Sequence, residues 1–325
     1  VKALVTGAAG FIGSRLVSGL AGQEIGIRAL ALQGEGVSHI ARYAPEIRTG
    51  NLNDPKSLEG ICEGVDVVFH LAARVTDWGP REAFYQPILE GTRNLLGECA
   101  GKGVRFVYVS SIAACGLGRH LKGMTENDLP CMSGVPYNDA KLEAERLVWS
   151  FHEQGLVNAC VVRPANVTGP GSVWVRDIVE RFRGMFVPFI DQGRYSASLI
   201  YVDNLVSGII PAGTLAAAGG NTYHLRDDWE VTWKRYLTDL GAIVGRRPRF
   251  NIPFTLAWKL GAISEKALTP VGIRPPITRL AAAVMGRDND VDTAKAQKEL
   301  GWSTRISYEQ ALSEIRSWVD EHMRC

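Results

Sequence analysis

No stretch of the 325-residue chain approaches the roughly 20 consecutive apolar residues that a membrane-spanning helix needs. Charge of one sign is not in excess either: 36 Lys and Arg stand against 34 Asp and Glu, a formal net charge of +2. That balance excludes a protein built to coat nucleic acid or an anionic membrane. The six cysteines (Cys62, Cys99, Cys115, Cys131, Cys160 and Cys325) include no C-x-x-C pair. In a chain this long they read as buried thiols in a reducing cytoplasm, not as a disulfide framework, and the His and Cys spacing offers no metal site. Internal repeats and low-complexity tracts are missing. Val1 opens directly into a strand-like run, so no signal peptide is expected and the expected location is the cytoplasm.

What is present is a globular balance, 46% hydrophobic and 22% charged. The length predicts two lobes, since single domains run to roughly 100–200 residues. In residues 1–165, apolar β-type runs alternate with helical patterns. The predicted strands are Lys2–Thr6, Ile25–Leu32, Glu46–Thr49, Asp66–Leu71, Arg105–Ser110 and Ala159–Arg163. Several are almost continuously hydrophobic, as strands covered by helices on both faces must be. Phe11–Gly22, Arg81–Gly101 and Tyr137–Gln154 read as amphipathic helices, and Asp54-Pro55 marks the start of another. This alternation predicts an α/β fold with a doubly wound parallel (Rossmann) sheet. Residues 166–325 are more often punctuated by Gly and Pro. They read as a smaller, mixed α/β substrate lobe, with some segments returning to the main sheet. Within it, Phe254–Leu268 carries Leu256, Leu260, Ile263 and Ala267 on one helical face, which is expected to be core; peripheral membrane contact is the alternative. Arg246-Arg247-Pro248-Arg249 reads as a solvated loop.

Thr6-Gly7-Ala8-Ala9-Gly10-Phe11-Ile12-Gly13 lies between the first strand and the first helix. Glycines there permit a tight turn and close approach to a pyrophosphate, which then sits at a helix N-terminus where amides and dipole favour anions. Gly7, Gly10, Phe11, Ile12 and Gly13 are therefore candidate dinucleotide ligands. Users of NAD place an acid at the end of the second strand and users of NADP an arginine nearby. Ala31-Leu32-Gln33-Gly34 offers neither, which tips the expectation from NAD toward NADP.

Tyr137 and Lys141, four apart, share one helical face. A phenol is a poor acid–base near neutrality, and an adjacent ammonium favours its phenolate. Ser110 and Ser111 end a strand at the edge where open α/β sheets bind ligands, and a hydroxyl there can hold a substrate carbonyl while Tyr137 passes the proton.

On these motifs the chain resembles the extended short-chain dehydrogenases/reductases. His70-Leu71-Ala72-Ala73, Arg163-Pro164-Ala165-Asn166-Val167-x-Gly169-Pro170, Tyr201-Val202-Asp203-Asn204 and a closing Asp292-x-x-Lys295-Ala296-x-x-x-Leu300-Gly301-Trp302 extend the match along nearly the whole chain. The resemblance implies that Ser111, Tyr137 and Lys141 are catalytic. It also implies that Asn51 and Leu52 line the adenine, Leu71, Ala72 and Ala73 the ribose and phosphates, and Pro164 and Val167 the nicotinamide. One departure is Ile88, where the family often has Asn before Gly-Thr.

Ala72–Gly79 resembles the 3β-hydroxysteroid dehydrogenase-like branch, with Trp78 a candidate pocket wall. Ile112-Ala113 after Ser111 lack a dehydratase's acid pair. Asn166 is retained from the sugar-nucleotide branch and is a candidate substrate residue, and Arg194 lies near the place of that branch's diphosphate clamp. The expected activity is reversible hydride transfer between NAD(P)H and a ketone or secondary alcohol of apolar, lipid-, sterol- or keto-acyl-like character. The alternatives are a nucleotide-sugar epimerase with tightly bound NAD, or a catalytically silent NAD(P) sensor. The resemblance further implies a homodimer through Arg81–Gly101 and Tyr137–Gln154.

Overall fold

The computed structural model describes residues 1–184 and 187–323; Cys325 lies outside them. Seven strands form one parallel sheet: Lys2–Thr6 (β1), Gly26–Ala31 (β2), Glu46–Thr49 (β3), Val67–His70 (β4), Arg105–Val109 (β5), Asn158–Pro164 (β6) and Thr222–Leu225 (β7). Their spatial order is β3-β2-β1-β4-β5-β6-β7, with the direction of travel reversing beside β1. The near-continuous hydrophobicity of these strands now has its cause. Ala3, Val5, Val67, Phe69, Val107 and Val109 face one helical layer. The alternate residues Leu4, Val68, Phe106 and Tyr108 face the other. With period-two side chains and a helical layer on each face, most central positions are apolar, and the buried polar exceptions such as Arg28, His70 and Arg163 have hydrogen-bond partners.

The first layer contains Phe11–Ala21 (α1), buried through Leu16, Val17 and Leu20 beside Val206, Ile209 and Ile210. The second is built from the region predicted as one helix over Arg81–Gly101, which is instead interrupted. Arg81–Tyr85 (α2) runs into a π-helical turn at Gln86–Glu90 before Gly91–Cys99 (α3). Pro87 has no N–H to donate into an α-helical ladder, and the wider turn absorbs it. Asp54 does cap a helix start, accepting from the Lys56 amide, but only a single 3₁₀ turn, Pro55–Leu58, follows.

Pro136–Glu153 (α4) brings Ala140, Ala144 and Val148 onto the second face. Beyond β6 come Val173–Gly184 (α5), Val202–Thr214 (α6), Trp233–Ile243 (α7), Phe254–Leu268 (α8), Arg279–Gly286 (α9) and Tyr308–His322 (α10). Of these, α5, α7, α9 and α10 enclose a separate core around Trp233, Tyr236, Phe182 and Ile315. The stripe of α8 expected in the core is exposed: Leu256 is 49%, Leu260 42% and Ile263 65% accessible. Its buried residues are instead Phe254, Ala257 and Gly261.

Candidate functional site

A cleft of about 980 Å³ runs from the carboxyl ends of β1 and β2, across the strand-order reversal, to the second core. Along its floor lie Gly7, Gly10, Phe11, Ile12 and Gly13. Gly7 has φ +65° and sits against the Ala72 backbone, so the β1–α1 turn is fastened to the end of β4. A Cβ at Gly13 would lie 2.0 Å from the Gly7 carbonyl oxygen, which fixes how closely α1 approaches the turn. No side chain caps α1 and its first turn has no acid. Its amides and dipole therefore face the cleft without a protein carboxylate, an arrangement that fits a pyrophosphate.

Asn51, Leu52, Leu71, Ala72, Ala73, Pro164 and Val167 line the same cleft, as do Ser111, Tyr137 and Lys141. Asn166 also lines it, but its side-chain amide donates to the Ala197 carbonyl at 2.8 Å, tying the strand after β6 to residue 197. Trp78 is half-buried and is not among the lining residues; its neighbours Arg74 to Asp77 are.

Glu35 also lines the cleft beside Leu30, Ala31 and Leu32. A tight turn after β2 folds back so that its carboxylate accepts from the Leu32 amide at 2.9 Å. The expectation of NADP assumed that no acid stood here. Glu35 supplies one, three residues late, and no Arg or Lys lines this end of the cleft among the described residues. An acid displaced by one turn was the signal that could have found it.

Local chemistry places the Ser–Tyr–Lys group. The loop entering α4 is held by Asp139, whose carboxylate accepts from the amides of Ser133 at 2.8 Å and Gly134 at 3.0 Å. An acid in the first helical turn also favours the dipole. Tyr137 thus enters the cleft from a fixed turn. Its phenol is raised above the ordinary value by burial, with the Ser111 hydroxyl opposing. The lowering expected from Lys141 is not among the causes of this shift. The Ser111 oxygen accepts from the Ala113 amide at 3.1 Å, which leaves its own hydrogen for the Tyr137 oxygen or for a ligand. Lys141, 3% exposed, donates to the Val109 carbonyl at 2.8 Å; burial brings its pKa down to about 8 against an opposing pull from Glu145.

Behind Lys141 lies a buried ion pair. Arg163 Nη2 donates to Glu145 at 2.7 Å, Arg163 Nε shares both oxygens at 3.1 Å, and Ser110 Oγ donates to the same carboxylate. Beside it, hydrogen-bond directions fix a histidine tautomer. Thr6 Oγ1 already accepts from the amides of Leu71 and Ala72, so its hydrogen goes to His70 Nδ1 at 2.7 Å. His70 Nε2 then donates to Thr92, which donates to the Ile88 carbonyl. Burial pushes His70 down to about 3, which keeps it neutral. The Ile88 side chain, 1% exposed, packs among Leu52, Tyr85 and Leu95. That position therefore supplies only its carbonyl as a polar group.

The second half of the cleft is walled by Trp174, Ile178, Val187, Ile190, Ile252 and Leu280. At its mouth Arg274 bridges Asp77 at 2.9 Å and Asp177 at 2.7 Å, joining segments 197 and 97 residues away. Nothing in the sequence foreshadowed that contact. Arg194 is exposed, pairs with Asp191, and is not among the lining residues.

A seven-stranded parallel sheet with a glycine-rich first turn at its reversal defines a dinucleotide-binding α/β protein. The profile of the NAD dependent epimerase/dehydratase family matches residues 3–225, and the chain belongs to that family. A 4-hydroxy-2-methyl-3-oxo-4-farnesyl-3,4-dihydroquinoline-1-oxide ketoreductase of Stigmatella aurantiaca is 29% identical, covering 97% of this chain and 96% of that one. A 2-alkyl-3-oxoalkanoate reductase of Stenotrophomonas maltophilia is 27% identical over 98% and 99% of the two chains. The fold matches that of UDP-glucose 4-epimerase from Thermotoga maritima with TM-score 0.78, at 24% identity and with both chains covered 100%. The protein is an NAD(P)-dependent oxidoreductase of the extended short-chain type.

Proposed function

We propose that the chain reduces the ketone of an apolar, keto-acyl-like substrate by a Ser–Tyr–Lys mechanism. The observation that carries this reading is the position of Ser111, Tyr137 and Lys141 where the glycine-floored half of the cleft meets its apolar half. The β1–α1 turn and the α1 N-terminus would hold the pyrophosphate, and Lys141 would bond the nicotinamide ribose. The bound dinucleotide supplies the hydride. Ser111 donates to the substrate carbonyl oxygen and orients it. Tyr137, kept protonated by burial, gives that oxygen its proton, and Lys141 stands behind it as a cation. The apolar wall excludes water and takes the hydrocarbon part of the substrate.

Glu35 favours a free 2′-hydroxyl over a 2′-phosphate, so NAD(H) is the proposed cofactor. Two of the similar proteins are named as reductases of 3-oxo compounds, in keeping with a free ketone. Arg194 is exposed and absent from the cleft lining, so it lends no support to the diphosphate clamp of an epimerase reading.

The test is a Tyr137→Phe variant assayed on a long-chain 2-alkyl-3-oxoalkanoate by loss of reduced nicotinamide absorbance. Turnover should fall by at least a hundredfold, while calorimetric dinucleotide affinity stays within about threefold. Near-normal turnover by the variant overturns the assignment.

A further inference from the structure

The exposed stripe of α8 has a physical origin in the helix's other face. A Cβ on Gly261 would come within 2.9 Å of the backbone of Thr278 and Arg279, so α8 is pressed onto the start of α9. Glu265 locks that contact by accepting from the Arg279 amide and from its guanidinium at 2.7 Å. Ser264 adds a bond to the Ile277 carbonyl at 2.8 Å. With this face fixed inward, Leu256 and Ile263 point out, and Leu260 stands at the edge of the cleft. The apolar surface continues past the helix through Val271, 66% accessible, and Ile273, 54%.

Two further features say what this surface fits. Leu260 belongs both to the exposed stripe and to the lining of the apolar half of the cleft, so the patch is continuous with the substrate's entrance. The exposed side chains from 255 to 276 also include Lys259 and Lys266 and not one carboxylate, while the charge of Arg274 is taken up by Asp77 and Asp177. The single acid of this stretch, Glu265, is half-buried against Arg279. A near-neutral protein thus places two lysines on an apolar surface beside one mouth of the cleft. Exposed aliphatic side chains flanked by lysines are the chemistry of a helix lying in the interface of an anionic bilayer.

We propose that α8 and the following turn, through Leu256, Ile263, Val271 and Ile273 with Lys259 and Lys266, dock this protein reversibly on an anionic membrane surface. The docked orientation would set the mouth of the cleft against the lipid from which an apolar ketone partitions. Only the reason for docking rests on the proposed apolar substrate; the surface itself stands on exposure and charge.

The test needs no substrate, so its failure and that of the ketoreductase assignment are separable. The wild-type chain, Ile263→Asn, Val271→Asn and a Lys259→Glu/Lys266→Glu double variant are sedimented with vesicles of phosphatidylcholine or of an equimolar phosphatidylcholine–phosphatidylglycerol mixture. Sedimentation velocity without lipid reports self-association. The expected result is binding to the anionic vesicles above the neutral ones, weakened on the order of tenfold by either asparagine. The double charge reversal should remove the anionic preference, at about fivefold per lysine. Ile263 and Val271 lie outside the cleft lining, so retained dinucleotide affinity certifies that these variants are folded. Absence of wild-type binding overturns the proposal. So does binding that the variants leave unchanged, or a lipid-free dimer that Ile263→Asn dissociates, since a second copy would then cover the stripe.

Discussion

Glu145→Gln makes the strongest test of how the site is supported from behind. Glu145 and Arg163 are 1% and 4% exposed, and the carboxylate receives the guanidinium from two directions as well as the Ser110 hydroxyl. Removing one charge of a buried pair leaves the other desolvated, at a cost of roughly 3–5 kcal/mol. Glutamine keeps the shape and one acceptor oxygen, so about 3 kcal/mol is expected. A second effect reaches Lys141, one helical turn away. Glu145 holds its pKa up against burial. Without that charge the pKa drops below about 8, and the ammonium behind Tyr137 is lost at lower pH. The alkaline fall in ketone reduction should therefore shift toward acid. Tyr108, whose ring lies 5.0 Å from Lys141 Nζ, and neutral His70 also face the ammonium, and neither supplies a compensating negative charge. Urea unfolding gives the first quantity and a kcat profile from pH 6 to 10 the second. A loss under about 1 kcal/mol with an unmoved alkaline limb would refute the reasoning; the stability loss alone would leave Glu145 structural.

Other outcomes follow from the dinucleotide half. Gly13→Ala places a methyl against the Gly7 carbonyl at 2.0 Å, so it should displace the β1–α1 turn and weaken dinucleotide affinity at least tenfold, read by calorimetry. Glu35→Ala should relax the preference between the two dinucleotides, raising NADPH affinity relative to NADH severalfold. Unchanged relative affinities would show that the carboxylate of Glu35 does not read the ribose.

The main sheet was legible because burial on both faces makes its central strands largely apolar. Lys2–Thr6 and Glu46–Thr49 match their predicted bounds, and the other four predicted strands differ by one residue at one or both ends. β7 was not predicted, since Thr222–Leu225 is four residues of mixed character and becomes a strand by pairing with β6. The break at Gln86–Glu90 was signalled by Pro87 alone. Helical spacing put Leu256, Leu260 and Ile263 on one face of α8 but could not tell which way that face turns. The answer depended on Gly261 meeting the α9 backbone.

Sequence by itself determined what local spacing can encode: a glycine turn before a helix, a Tyr and a Lys one turn apart, and largely apolar strands. Tertiary structure decided whatever depends on which distant groups meet. It brought Glu35 back to the end of β2, set Glu145 and Arg163 behind Lys141, closed Arg274 onto Asp77 and Asp177, and let burial rather than the neighbouring ammonium govern Tyr137. Periodicity carries the facing of a side chain within its own element; its partner and its dielectric come from elements many residues away.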